Sequence, residues 1–150
     1  MNSDVIFYKL EILKRYVDRI HQKTPSDSES LANSPDIQDI IMMNLQRAVK
    51  ICVDIAAYIV ADSDIPPPMS MKDAFYQLHM LEVVSKETSD RMQKSVGFRN
   101  ISVHEYDTIN WDIVYAIITY HMDDFKGYAK EIFEWIEVRH CKFKRPVMML

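Results

Sequence analysis

The chain has 150 residues, 48% of them hydrophobic and 27% charged. This is the balance of one globular domain able to bury a core without staples, not of a disordered or membrane-embedded chain. A formal net charge of −4 argues against broad, charge-driven binding of nucleic acid and leaves room for a small local basic site.

No apolar run approaches the roughly 20 residues that a bilayer span requires. The opening MNSDVIFYKLEILKRY carries charges where a signal peptide would be uninterruptedly apolar, so the expected address is the cytoplasm, with no membrane partner. Of the two cysteines, Cys52 sits in the apolar run VKICVDIAAYIV and Cys141 in a basic stretch. That pattern suits a core residue and an incidental one rather than a disulfide framework, and it supplies too few ligands for a cysteine metal site.

From Asp4, residues Ile6, Leu10, Leu13, Tyr16, Val17 and Ile20 recur at three- and four-residue steps, which predicts a first amphipathic helix closed by KTPSDSES. A second helix opens at SPDI, where Ser34 can cap, Pro35 suits the first helical position and Asp36 favours the positive end of the dipole. Its apolar face runs through Ile37, Ile40, Ile41, Leu45, Ala48, Ile51, Cys52, Ile55 and Ile59 until three prolines at 66–68 forbid continuation. Ser70 with Asp73 resembles a capping arrangement for a third helix carrying Phe75, Leu78 and Leu81, and Ser85 restarts it for a segment through Met92 and Val96.

After the stretch GFRNISVHEY, residues 97–106, Asn110 can cap a long last helix through Trp111, Val114, Ile117, Ile118, Phe125, Tyr128, Ile132 and Ile136. Four principal helices with short connections predict an all-α fold, an antiparallel bundle of about four to five helices. Residues 1–137 form the bundle domain, and 138–150 a basic C-terminal tail with Arg139, Lys142, Lys144 and Arg145.

Several chemistries find little support. Glu137-x-x-His140 has the spacing of a bundle metal motif, but a di-iron site needs a second copy and two further inward glutamates. His104-Glu105 lacks the second histidine of a zinc helix. His21, His79 and His121 read as surface or hydrogen-bonded structural residues. Gly97 and Gly127 stand alone, so there is no glycine-rich phosphate loop, and Ser102 near His104 comes without an oxyanion-hole motif. No metal and no cofactor is expected.

That leaves Arg99, Asn100, His104 and Tyr106. On an unbroken helix, residues five apart point roughly 140° away from each other, so a site shared by Arg99 and His104 needs a helix end or bend, which Gly97, Ile101, Val103 or the 107–110 segment could provide. Phe98, Ile101 and Val103 would then anchor the turn in the core. The same alternation suits an ordinary interhelical turn, and the residues alone leave both readings open.

The string Gly97-Phe98-Arg99-Asn100-Ile101-Ser102-Val103-His104-Glu105-Tyr106 resembles the R-x4-H-x-Y signature of HEPN ribonuclease toxins of the HepT type (DUF86-like). The resemblance includes the helical succession, Asn44-Leu45 and Arg47-Ala48 in the second helix and DDFKGYAKEIFEWI in the last, from about residue 4 to residue 137. It implies a homodimer whose motifs meet at the interface and cut RNA, tRNA among the candidates, without a metal.

In such a site His104 transfers protons, Arg99 stabilises the phosphate and its transition state, and Asn100 positions. By the same resemblance Tyr106 accepts AMP from a partner nucleotidyltransferase, the MntA-like antitoxin of a type VII pair, with which the toxin could form a hetero-oligomer. Glu105 reads as a solvated carboxylate. A non-catalytic HEPN-like module that partners such an enzyme, and a plain helical dimerisation protein, are the competing readings.

Overall fold

A computed structural model describes the backbone of residues 1–148 and the side chains as far as Arg139. The side chains of His140, Cys141, Lys142, Lys144 and Arg145, and with them the Glu137-x-x-His140 reading and most of the basic-tail reading, lie outside the described residues. Every regular element among those described is helical: α1 (Ser3–Lys23), α2 (Ser28–Ala32), α3 (Pro35–Ala61), α4 (Met71–Met80), α5 (Lys86–His104), a 3₁₀ turn (Tyr106–Thr108), α6 (Trp111–Tyr120) and α7 (Asp123–Met148). None of the described helices is long and apolar enough to cross a membrane.

The four long helices, α1, α3, α5 and α7, form the bundle. The amino end of α1 lies beside the carboxyl end of α3, where Asn2 N donates to Tyr58 Oη at 3.1 Å and the terminal ammonium meets Asp62 at 3.1 Å. The end of α5 returns to the first half of α3 through Gln46 Nε2, which donates to Ser102 Oγ at 3.0 Å. Glu131 sets α7 antiparallel on α5: it accepts from Ser85 N at 2.7 Å and from the Thr88 hydroxyl, while Asp124 faces Arg91. Chain neighbours among the long helices therefore run antiparallel, as short connections require.

The core is the aliphatic stripe read from the sequence. Ile6, Leu13 and Ile20 of α1 are buried against Ile41, Leu45, Ala48, Cys52, Ile55 and Ile59 of α3, and Phe75 of α4 and Tyr128 and Ile132 of α7 are buried in the same core. Phe75 and Tyr128 meet edge to face, with centroids 5.5 Å apart, a favoured aromatic geometry.

Local signals place most boundaries. Ser70 Oγ accepts from Asp73 N at 3.0 Å, Ser85 Oγ from Thr88 N at 3.1 Å, and Asn110 Oδ1 from Asp112 N at 2.9 Å, each satisfying a donor that the first helical turn leaves free. Ser34 stands at the cap position of α3, but its side chain makes no capping bond; Pro35, at the first helical position, removes one of the donors that the first turn leaves free. The expected single last helix is two, interrupted at His121–Met122, where His121 N closes α6 on Ile117 O at 2.9 Å. The expected closing loop after α1 also contains α2, capped by Asp27, whose carboxylate accepts from Ser30 N at 2.7 Å. The backbone of α7 continues in helical form through 138–148.

Candidate functional site

GFRNISVHEY forms the last two turns of α5 and enters the 3₁₀ turn. α5 does not bend between Arg99 and His104; it runs unbroken to His104 and then stops, with Glu105 as its cap residue and Glu105 N bonded to Ile101 O at 2.8 Å. Gly97 is helical, and a Cβ there would meet only the end of the Lys72 side chain, at 3.7 Å. The bend that a site shared within one chain would need between Arg99 and His104 is therefore absent, although the helix does end just after His104, and the two side chains diverge by roughly 140° over about 7.5 Å of helix rise.

Because the helix persists, its inward face follows three- and four-residue steps rather than the alternation of a turn. Met92, Val96 and Ser102 are buried, whereas Ile101 is 52% and Val103 43% exposed, so these two do not anchor the turn in the core as the alternation suggested. Phe98 alone of the three packs on it. Ser102, buried instead, donates to Arg99 O at 2.7 Å and accepts from Gln46. Its hydroxyl is committed to holding α5 on α3, which fits a structural serine and not a nucleophile.

Arg99 lies on the inward side and His104 on the outward side. One guanidinium nitrogen of Arg99 donates to Asn100 Oδ1 at 3.3 Å, while its Nε is buried with no acceptor among the described residues. A buried guanidinium donor without a partner costs free energy. His104 is exposed, with no hydrogen bond or ion pair among the described residues. Within one chain, Arg99 with Asn100 forms one cluster and His104 stands apart.

Tyr106 occupies the 3₁₀ turn, half-buried, its ring edge-on to Trp111 at 5.9 Å. Its hydroxyl donates to Asp39 Oδ1, on the first turns of α3, at 2.5 Å. Burial, helped by the Asp39 carboxylate, pushes its ionisation up to about 12, because both penalise the phenolate. Glu105 is solvent-exposed, as read. His21 is exposed, His79 Nδ1 sits 3.4 Å from Val84 O, and His121 lies 3.9 Å from Asp124. No group of three or more metal-ligating side chains occurs among the described residues.

Asp39 and Gln46 escaped the sequence reading. Both sit on α3, 67 and 56 positions from the residues they bind, and no local pattern marks them.

A family model described as ribonuclease HepT-like matches residues 13–132. The chain belongs to the HepT-like ribonuclease family. The mRNA nuclease HepT of Shewanella oneidensis is 34% identical over 130 residues, 87% of this chain and 97% of that protein. The tRNA nuclease HepT of Aphanizomenon flos-aquae is 25% identical over 128 residues, 85% of this chain and 87% of that one.

Among solved structures, a tri-AMPylated HEPN toxin of Shewanella oneidensis in complex with MNT antitoxin superposes with a TM-score of 0.82 at 34% identity, covering 89% of this chain and 99% of that one. The HepT-like fold is thus the bundle described above, and the expected resemblance is borne out at the level of family and fold. The family match takes in the whole of α5 and the 3₁₀ turn after it, the region that presents Arg99, His104 and Tyr106.

Proposed function

We propose that this HepT-like chain is the ribonuclease toxin of a toxin–antitoxin pair, acting in the cytoplasm on RNA and silenced by transfer of AMP to Tyr106 from an MNT-type nucleotidyltransferase antitoxin. The observation that carries the reading is the unbroken end of α5, which leaves an exposed His104 without a partner and an Arg99 whose buried Nε lacks an acceptor among the described residues.

One chain cannot close both groups on one phosphate, because the helix separates them. A two-fold pairing of two chains through this end supplies two histidines and two arginines to a single cleft. The exposed Ile101 and Val103 are apolar surface that such a pairing would cover.

The chemistry needs no metal. One His104, neutral, takes the proton of the ribose 2′-hydroxyl as that oxygen attacks the adjacent phosphorus. The second His104, protonated, gives its proton to the departing 5′-oxygen, and Arg99 holds the charge that builds on the phosphate oxygens. An imidazole is the side chain suited both to take and to give a proton near neutral pH. The products are a 2′,3′-cyclic phosphate and a 5′-hydroxyl.

Asn100, bonded to the Arg99 guanidinium, orients it. An adenylyl group on Tyr106, two residues from His104, adds bulk and a phosphodiester negative charge that repels the RNA backbone.

Total RNA incubated with the purified protein in excess chelator tests this reading. Cleavage by the wild type and its loss in both His104→Ala and Arg99→Ala is the expected result. Equal cleavage by all three preparations, or cleavage only after a divalent metal is added, would overturn it.

A further inference from the structure

The ribonuclease chemistry gives Asp39 no task, yet its place is specific. It stands on α3 and reaches across 67 positions of sequence to accept from Tyr106 Oη at 2.5 Å. The Tyr106 ring is held edge-on by Trp111, and α3 is anchored in the core by Ile41, Met42 and Leu45, so both members of the pair are fixed from behind. Asp39 itself is exposed and has no ion pair or second hydrogen bond among the described residues. The carboxylate is committed to the phenol alone, and the pair is open to a partner from solvent.

We propose that Asp39 is the general base for nucleotidyl transfer to Tyr106, an inference that rests on the reading of Tyr106 as the acceptor. Tyr106 Oη attacks the α-phosphorus of a nucleoside triphosphate held by the partner enzyme. A phosphodiester bond forms between them as the bond from that phosphorus to the oxygen bridging toward the β-phosphorus breaks. Pyrophosphate leaves with the electron pair, and the phenolic proton passes to Asp39 Oδ1 and then to water.

A base already in contact is what this nucleophile needs. A phenol that ionises at about 12 is phenolate to only about one part in 10⁵ at pH 7, so attack by preformed phenolate is starved. Removal of the proton as the new bond forms avoids that limit, and general-base assistance of this kind typically accelerates a step by about 10²–10⁴-fold.

The test combines the full chain, its nucleotidyltransferase, ATP and magnesium, and follows intact mass with time at saturating partner. Asp39→Asn, which keeps the shape and loses the base, is expected to lower the turnover number about 10²-fold or more. Asp39→Ala should fall similarly and be rescued in proportion to added formate, a carboxylate small enough for the vacated space. Asp36→Asn, one turn earlier on the same helix face and without partners among the described residues, should react at the wild-type rate.

An Asp39→Asn protein with wild-type turnover overturns the proposal. So does a loss confined to KM, which would assign Asp39 to docking, or an Asp39→Ala protein that formate leaves unchanged. A mass gain that persists in Tyr106→Phe is a different failure: it removes Tyr106 as acceptor and takes the Asp39 proposal with it, whatever the Asp39 variants do.

Discussion

Two tyrosines, one in the core and one at the surface, share nearly the same local design. Tyr128 is fully buried, sits edge-on to Phe75 at 5.5 Å and donates to Cys52 O at 2.8 Å. Tyr106 is half-buried, sits edge-on to Trp111 at 5.9 Å and donates to the Asp39 carboxylate at 2.5 Å. Burial holds the proton on both phenols to higher pH than usual. The acceptor and the access differ: a neutral backbone carbonyl sealed in the core makes Tyr128 a packing residue, while a carboxylate at the surface gives Tyr106 a proton acceptor within reach of a second protein. A tyrosine's environment, rather than its residue type, decides whether its hydroxyl is sealed in the core or open to a second molecule.

The comparison can be broken at either end. At the reactive end, His104→Ala should cut RNA cleavage by about 10²–10⁴-fold with no change in thermal unfolding, since the side chain is exposed and has no partner among the described residues. Cleavage rates and a melting curve on the same preparation check both halves. At the core end, Phe75→Ala should destabilise by about 3–5 kcal/mol in urea unfolding, because Phe75 is fully buried and its removal leaves a cavity beneath Tyr128.

The paired hydroxyl deletions sharpen the contrast further. Tyr128→Phe should cost about 1 kcal/mol, the ordinary worth of one buried hydrogen bond, because the Cys52 carbonyl keeps its helical bond. Tyr106→Phe should change stability by less than about 0.5 kcal/mol, as for a surface position, while abolishing the AMP-dependent mass increase. Equal destabilisation by the two deletions would contradict the division of roles.

The smallest effect is alkaline. With an ordinary phenol value of 10.0 in the unfolded chain and about 12 in the folded one, Tyr106 holds its proton more tightly when folded. Its contribution is therefore fully present below pH 10 and is lost as pH rises through about 12. Over that interval the wild type should lose stability relative to Tyr106→Phe; a constant difference through pH 12 would be the wrong outcome.

The fold was legible where periodicity and caps act locally. The stripe from Ile41 to Ile59 and the caps at Ser70, Ser85 and Asn110 needed nothing beyond neighbouring residues. The break between α6 and α7 was hidden because Trp111, Val114, Ile118, Met122, Phe125 and Tyr128 keep three- and four-residue steps straight across it, and no glycine or proline stands there. α2 is five residues long, too short to show a period.

At the site, the helical bookkeeping correctly separated Arg99 from His104, but it sought the remedy in a bend within one chain, and α5 has none. Ser102 reads in sequence as a hydroxyl near a histidine; in the fold Gln46 claims it. Asp39 was out of reach for any local pattern, since only the packing of α3 against the 3₁₀ turn brings it to Tyr106.

The most direct test of the ribonuclease reading is the chemistry of the cut ends. RNA cleaved by the wild-type protein in excess chelator should carry 2′,3′-cyclic phosphate and 5′-hydroxyl termini, the products required when the ribose hydroxyl is the nucleophile. Termini bearing a 5′-phosphate and a 3′-hydroxyl would mean that water attacked instead, and would contradict the assignment of proton transfer to His104.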